Sequence, residues 1–195
     1  KWMSVMSGTE HITNTITALG RLLEISMNKV NDVLPIEEEL ENIKSYIKIQ
    51  QVRYPGRFDV AYHIEEGILK EHTLKLILQP LVENAVQHAM PSEGKLTITV
   101  TGEVDGDDVY LRVSDNGTGM TEEARQGIMH PKETKGIGIA VKNVHDRIVG
   151  FFGPNSYMDV QSELGVGTTV TLFLEGCAAQ TKSQVAASDA ETLRR

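Results

Sequence analysis

Apolar residues recur along the chain with two different periods. In residues 9–30, Ile12, Ile16, Leu19, Leu23, Met27 and Val30 fall at spacings of three and four, which predicts an amphipathic helix. Asn31 to Pro35 interrupts that pattern. A second stripe, Ile36, Leu40, Ile43 and Ile47, brackets the acidic run Glu37-Glu38-Glu39, whose carboxylates suit the positive end of a helix. Together they predict a helical hairpin, which buries too little alone and needs the rest of the chain or a second copy. After a Pro55-Gly56 turn the period drops to two. Phe58, Val60, Tyr62 and Ile64 predict a strand, as do Leu96, Ile98, Val100 and then Val109, Leu111, Val113, these last two joined by a polar Asp-Gly turn. Residues 73–89 return to a helical pattern with Pro80 inside it, which predicts a kink. A short helix opens at Thr121, a mobile loop is expected over 127–138, and a helix over 139–151. Tyr157–Glu163 and Thr168–Glu175 read as strands joined by a Gly-rich turn. The sum is an α+β sandwich carrying an N-terminal helical appendage.

Composition narrows the class. The 195 residues carry a net charge of −8 and one cysteine, Cys177. Net acidity argues against a nucleic-acid partner, which calls for a basic face. A single cysteine excludes an internal disulfide framework and a Cys-cluster zinc site. No apolar run reaches the ~18 residues of a membrane helix. The chain opens at Lys1 inside a helical pattern and reads as a fragment of a longer protein. The division expected is a helical region at 1–55, a catalytic domain at 56–176 and a disordered tail at 177–195.

Four segments carry candidate chemistry. On helix 73–89, Glu83, Asn84, Gln87 and His88 break an apolar surface, and Asn84, Gln87 and His88 share a face at i, i+3 and i+4. An Asn amide oxygen is a suitable hard ligand for Mg²⁺; a merely solvated helix face is the ordinary alternative. Asp115-Asn116-Gly117-Thr118-Gly119 follows a strand. It is either a plain turn or a loop whose carboxylate accepts from an exocyclic amine such as adenine N6, with the glycines letting backbone approach a flat ring. Lys135-Gly136-Ile137-Gly138 opens the helix at 139, where backbone N–H groups and the dipole favour a phosphate; a flexible loop is the alternative. Gly165-Val166-Gly167-Thr168 joins two strands and by itself is a hairpin turn. His11 is read as a surface histidine, and His63, His72, His130 and His145 have no partner at zinc-ligand spacing.

In series, these motifs resemble the ATP-binding domain shared by gyrase, heat-shock chaperone, histidine kinase and mismatch-repair ATPases, over about residues 57–175. Leu34 to Tyr54, Leu78-Gln-Pro-Leu-Val-Glu-Asn-Ala85 and Gly138 to Arg147 resemble sensor histidine kinases of the LytS/YesM type. The resemblance implies the Bergerat fold, a two-layer α/β sandwich with a mixed sheet packed on helices, together with ATP and Mg²⁺ as cofactors. It implies that Asn84 holds Mg²⁺, Asp115 binds adenine N6 with help from Thr168, and Gly117 and Gly119 shape the adenine pocket. Lys135, Gly136, Ile137 and Gly138 would contact phosphates and His88 the ribose or base. Glu83 would be the base or orienting carboxylate for an acceptor imidazole. Gln87 stands where a Lys is common. The lid at 121–135 is short and lacks a Phe-rich box. The implied activity is transfer of the γ-phosphoryl to a histidine of the dimerisation helix, upstream of this chain, and thence to a response regulator. Implied with it are a homodimer through a four-helix bundle and a cytoplasmic location in a membrane-anchored parent. A nucleotide-gated binding module, or an ATPase in which Glu83 activates water, are the alternatives of the same fold.

Overall fold

A computed structural model describes residues 33–129 and 137–178. The first predicted helix, His11, Lys135, Gly136 and the tail from 179 lie outside the described residues, and the side chains of Ile137 and Gly138 are likewise outside them.

The chain enters through a short strand β1 (Val33–Pro35) and helix α1 (Ile36–Arg53). Strand β2 (Phe58–Ile64), one 3-10 turn (Glu66–Ile68) and strand β3 (His72–Leu74) lead to helix α2 (Gln79–His88). The hairpin β4 (Leu96–Asp105) and β5 (Asp108–Asp115) follows, then helices α3 (Glu122–Met129) and α4 (Ile137–Phe152), and the hairpin β6 (Tyr157–Glu163) and β7 (Gly167–Leu174).

Five strands form one mixed sheet in the order β2-β4-β5-β7-β6. Only the β2–β4 pair is parallel among them. The period-two pattern sorts the faces. Phe58, Leu96, Ile98, Val100, Val109, Leu111, Val113, Met158, Leu172 and Leu174 are buried on one side, while Thr97 and Tyr157 on the other are exposed. The buried side faces α1, α2 and α4, whose apolar residues join the same core.

Two expectations change here. Residues 73–89 do not form one kinked helix. His72–Leu74 pairs antiparallel with Val33–Pro35, and the helix starts at Gln79 with Pro80 in its first turn. A proline there gives up only an N–H that has no intrahelical partner, whereas in the interior it would break the ladder. Secondly, the α1 stripe is not offered to a second copy. Ile36 and Ile43 are 0% exposed and Leu40 4%, all packed into the sheet-and-helix core. For α1 the alternative of burial against the rest of the same chain is the one realised, so this stripe cannot also supply a four-helix bundle.

Smaller differences sit at the ends of elements. Residues 127–129, expected in a loop, belong to α3, which continues to Met129, and α4 begins at Ile137; residues 130–136 of the expected loop lie outside the described residues. The expected tail begins with two buried residues, Cys177 and Ala178. The Cys177 thiol donates to the His72 carbonyl at 3.2 Å, and burial pushes its pKa up to about 12, so it is an inert core group. Ala178 N–H donates to the Asp107 carbonyl at 3.0 Å, fastening the chain to the β4–β5 turn.

Candidate functional site: a cleft between α2 and the loop after β5

Helix α2 sets one wall. It has no capping side chain of its own at Leu78. The Glu39 carboxylate of α1 caps it instead, accepting from the N–H groups of Leu76 (2.9 Å), Ile77 (2.9 Å) and Leu78 (3.0 Å). Its C-terminal end is held by the loop after β5. Thr118 N–H donates to the Ala89 carbonyl at 3.1 Å and Thr118 Oγ1 to the His88 carbonyl at 3.3 Å. These bonds satisfy carbonyls that a helix end leaves open.

At about 100° per residue, Leu81, Asn84, Ala85 and His88 turn to one side of α2, and all four line the cleft. The same rotation carries Gln87 and Glu83 away from it. Gln87 Nε2 donates to Glu83 Oε1 at 3.2 Å, and both lie beside Tyr46 of α1, whose pKa is pushed up to about 12 by burial and then by the Glu83 charge. So Asn84 and His88 share the cleft as expected, and Gln87, predicted with them, does not.

The opposite wall is the loop after β5. Asp115 lines the cleft, and its Oδ1 accepts from Gly117 N–H at 2.9 Å. Burial raises its pKa above the usual carboxylate value, while the amides of Gly117 and Thr168 pull it down. The glycines also answer a packing need. A Cβ at Gly117 would overlap the Ala89 carbonyl oxygen, and one at Gly119 the Glu163 carbonyl oxygen. Gly119 also has φ +60, a conformation that costs other residues strain. Both are therefore required by backbone packing against α2 and β6, and Gly119 lines the cleft in addition.

Thr168 completes the wall. It pairs with Asp115 across β5–β7, and its Oγ1 lies 2.8 Å from Ser162 Oγ. Ser162 also accepts from Met120 N–H at 2.9 Å and donates to the Gly167 carbonyl at 3.0 Å. It stitches β6, β7 and the loop after β5 into one unit. Ser162 was not among the sequence candidates. Its only signal was its place opposite Thr168 in the last hairpin, which becomes visible once the register is known. The apolar lining from Met120, Ile128, Val141, Val160 and Val170 was likewise not singled out, because such residues read as ordinary core.

Chemically, the cleft combines an ionisable acceptor at one end, an amide and an imidazole on a helix, and an apolar lining. That suits a flat heteroaromatic ring with an exocyclic donor, extended by a polar group near Asn84. Among the described residues no set of three His, Cys, Asp or Glu could hold a metal ion. Asn84, which makes no side-chain hydrogen bond among the described residues, could supply one oxygen ligand to a cation that the remaining ligands reach from elsewhere. Arg147 takes no part in the cleft; its Nη2 donates to the Lys75 carbonyl at 2.7 Å.

Comparisons with known proteins agree with this geometry. Residues 69–176 match the family described as histidine kinase-, DNA gyrase B-, and HSP90-like ATPase, and residues 1–58 match the histidine kinase family. Sensor protein LytS of Bacillus cereus is 32% identical over 145 residues, 73% of this chain and 25% of that protein. Sensor protein LytS of Bacillus subtilis is 31% identical over 142 residues, 71% of this chain and 24% of that protein. The chain thus spans about a quarter of the length of these relatives. Among solved structures, the histidine kinase domain of the Erythrobacter litoralis EL346 blue-light activated histidine kinase has a TM-score of 0.57 at 17% identity, covering 90% of this chain and 78% of that one. Full-length ShkA in complex with AMPPNP has a TM-score of 0.58 at 18% identity, covering 88% of this chain and 37% of that one. At these identities the structures establish the fold, while the family matches and the LytS relatives establish descent. The chain, with its candidate site in the cleft between α2 and the loop after β5, therefore belongs to the histidine kinase-, DNA gyrase B- and HSP90-like ATPase family, and its relatives are sensor histidine kinases.

Proposed function

We propose that this chain is the ATP-binding catalytic part of a two-component sensor histidine kinase. It would place the γ-phosphoryl of ATP for attack by a histidine of the dimerisation helix, whose phosphate then passes to an aspartate of a response regulator. The observation that supports this best is the convergence of Asn84 and His88 from α2 with Asp115 and Thr168 from the sheet ends around one apolar cleft. Asp115 would accept from adenine N6, with its carboxylate oriented by Gly117 N–H. His88 would lie against the base or ribose. Lys135, Gly136, Ile137 and Gly138 remain proposed phosphate contacts at the start of α4.

The donor chemistry fits Mg²⁺. Asn84 is one hard oxygen ligand facing the cleft, and nucleotide phosphates would complete the shell. When bound, the ion would neutralise phosphate charge during transfer. The protein's own contribution is positioning. Glu83 sits on the other side of α2, next to α1, where Oε1 accepts from Gln87; the carboxylate would use its remaining acceptor capacity to accept or orient the proton of an incoming imidazole. In the transfer, an imidazole nitrogen bonds to the γ-phosphorus as the bridging oxygen leaves with ADP. The parent would dimerise and act on the cytoplasmic side of a membrane; among the described residues, no helix is long and apolar enough to cross one.

The test is transfer in trans. The chain is incubated with γ-labelled ATP and Mg²⁺ and a separate polypeptide carrying the acceptor helix. Acid-labile label is expected on that polypeptide, with Glu83→Ala lowering transfer while sparing ATP binding. Release of free phosphate without label would favour the ATPase reading, and absence of adenine-nucleotide binding would overturn the proposal.

A further inference from the structure

The segment Lys75 to Leu78 sits between β3 and α2 and is gripped from two sides. On one side the Glu39 carboxylate, 0% exposed, takes three consecutive N–H groups, with Oε2 on Leu76 and Oε1 on Ile77 and Leu78. On the other side the Arg147 guanidinium of α4 takes the carbonyls of Lys75 at 2.7 Å and Leu76 at 3.4 Å. Between them Leu76 has φ 58, a left-handed conformation that a branched side chain does not hold without surrounding constraint. The segment Lys75-Leu76-Ile77-Leu78 contains no Ser, Thr, Asp or Asn to cap the helix locally. The cap is imported from a different helix, 37 to 39 positions earlier in the chain.

We propose that Glu39 is a positioning residue for the nucleotide cleft, and that through it the docking of α1 and the binding of nucleotide are coupled. The inference rests on the functional reading above. Asn84 and His88 project from the helix whose N-cap and preceding residues Glu39 holds, and Val141 projects from the helix that carries Arg147; all three line the cleft. α1 cannot move away from the core without withdrawing the carboxylate. Its withdrawal leaves the buried N–H groups of Ile77 and Leu78 and the half-buried one of Leu76 without this acceptor and releases the Leu76 backbone. α2 then loses the register that sets Asn84 and His88 opposite Asp115. The reverse holds by linkage: nucleotide that ties α2 to the loop after β5 strengthens the hold of α1 to the same extent. Glu39 itself lies within the segment, residues 1–58, that matches the histidine kinase family, whereas the cleft is lined from Leu81 onwards. A displacement of that segment therefore acts on Glu39 directly and on the cleft through it.

The test uses the whole chain and two readouts. Amide hydrogen exchange of α1 is measured with and without ADP–Mg, and the Kd for ADP–Mg is measured by calorimetry for the wild type, Glu39→Gln and Arg147→Lys. ADP–Mg is expected to slow exchange in α1 of the wild type about tenfold, although α1 does not line the cleft. Glu39→Gln keeps one oxygen but presents a donor to at least one N–H; it is expected to raise the Kd about tenfold and to abolish the slowing in α1. Arg147→Lys, which loses the two-carbonyl grip, is expected to act in the same direction. If Glu39 were only a structural cap, the folded variant would show a lower Tm with the Kd and the exchange response unchanged, and that result overturns the proposal. Unchanged α1 exchange in the wild type on binding ADP–Mg also overturns it, with no variant needed. Failure of the wild type to bind any adenine nucleotide would instead overturn the functional reading, and this inference with it.

Discussion

Asp115→Asn is a sharp probe of the proposed base-binding end, because the structure leaves the amide no good orientation. In the wild type, Oδ1 accepts from Gly117 N–H at 2.9 Å, the Thr168 amide also donates to the carboxylate, and acceptor capacity is still left to offer the cleft. An asparagine has one oxygen. If that oxygen stays on Gly117, the NH₂ faces the cleft and meets the exocyclic amine of adenine, donor against donor. If the amide flips, the NH₂ meets Gly117 N–H and the loop must distort. A hydrogen bond to an ionised acceptor contributes about 1.5–3 kcal/mol, so the Kd for ADP–Mg should rise roughly 10- to 150-fold. Ligand at a hundredfold excess over the wild-type Kd stabilises by about 2.7 kcal/mol, or about 5–11 °C in Tm at this chain length. At that same concentration the variant should shift by only about 1–6 °C. The fold should tolerate the change, because an amide lacks the desolvation penalty that raises the Asp115 pKa. Hypoxanthine presents an acceptor where adenine presents a donor, so the variant should also lose its preference for ADP over IDP. Calorimetric titration with both nucleotides checks the reasoning. A variant Kd for ADP within twofold of wild type, with the adenine preference intact, would refute it.

Other substitutions separate packing from binding. Asn84→Ala should weaken ADP–Mg far more than metal-free ADP, and equal losses in titrations with and without Mg²⁺ would make Asn84 a fold residue. Gly119→Ala should destabilise the chain by more than about 2 kcal/mol in urea unfolding, because strain adds to overlap with the Glu163 carbonyl; Gly106→Ala, at φ +65 with nothing within 4 Å, should cost only the ~1–2 kcal/mol of the left-handed conformation. Leu40→Ala should cost about 2–5 kcal/mol of chain stability, since Leu40 is buried within the chain; a change confined to light-scattering mass would contradict that packing. Nucleotide affinity should fall as pH is lowered through the raised pKa of Asp115, because protonation removes the acceptor. The stability contribution of this carboxyl to the apo protein runs the opposite way, present at low pH and lost as pH rises through its folded pKa; titrations and melts across pH read both.

Local periodicity was enough to place most elements. Strands with strict alternation, such as Leu96–Val100 and Val109–Val113, were legible because a half-buried sheet imposes period two on its own sequence. The site was legible as types and order: Asn84, His88, Asp115, Gly119 and Thr168 were all marked, and all line one cleft. Gln87 was marked and does not, because a shared helix face spans more rotation than one cleft wall can use.

Distant contacts decided the rest. Nothing near Leu74 signals a strand, since β3 exists through its pairing with Val33–Pro35. Nothing near Gln79 signals a helix start except Pro80, since the cap is Glu39 on another helix. Gly117 and Gly119 looked suited to a ligand, whereas carbonyls of Ala89 and Glu163 require them. The α1 stripe was plain in the sequence, but an apolar stripe records only that water must be excluded from it, not which surface does so. The sequence by itself determined the periods, the motif order and the chemistry available; the tertiary structure alone decided which partners meet, because each of these contacts joins residues far apart in the chain, where no local pattern constrains the match.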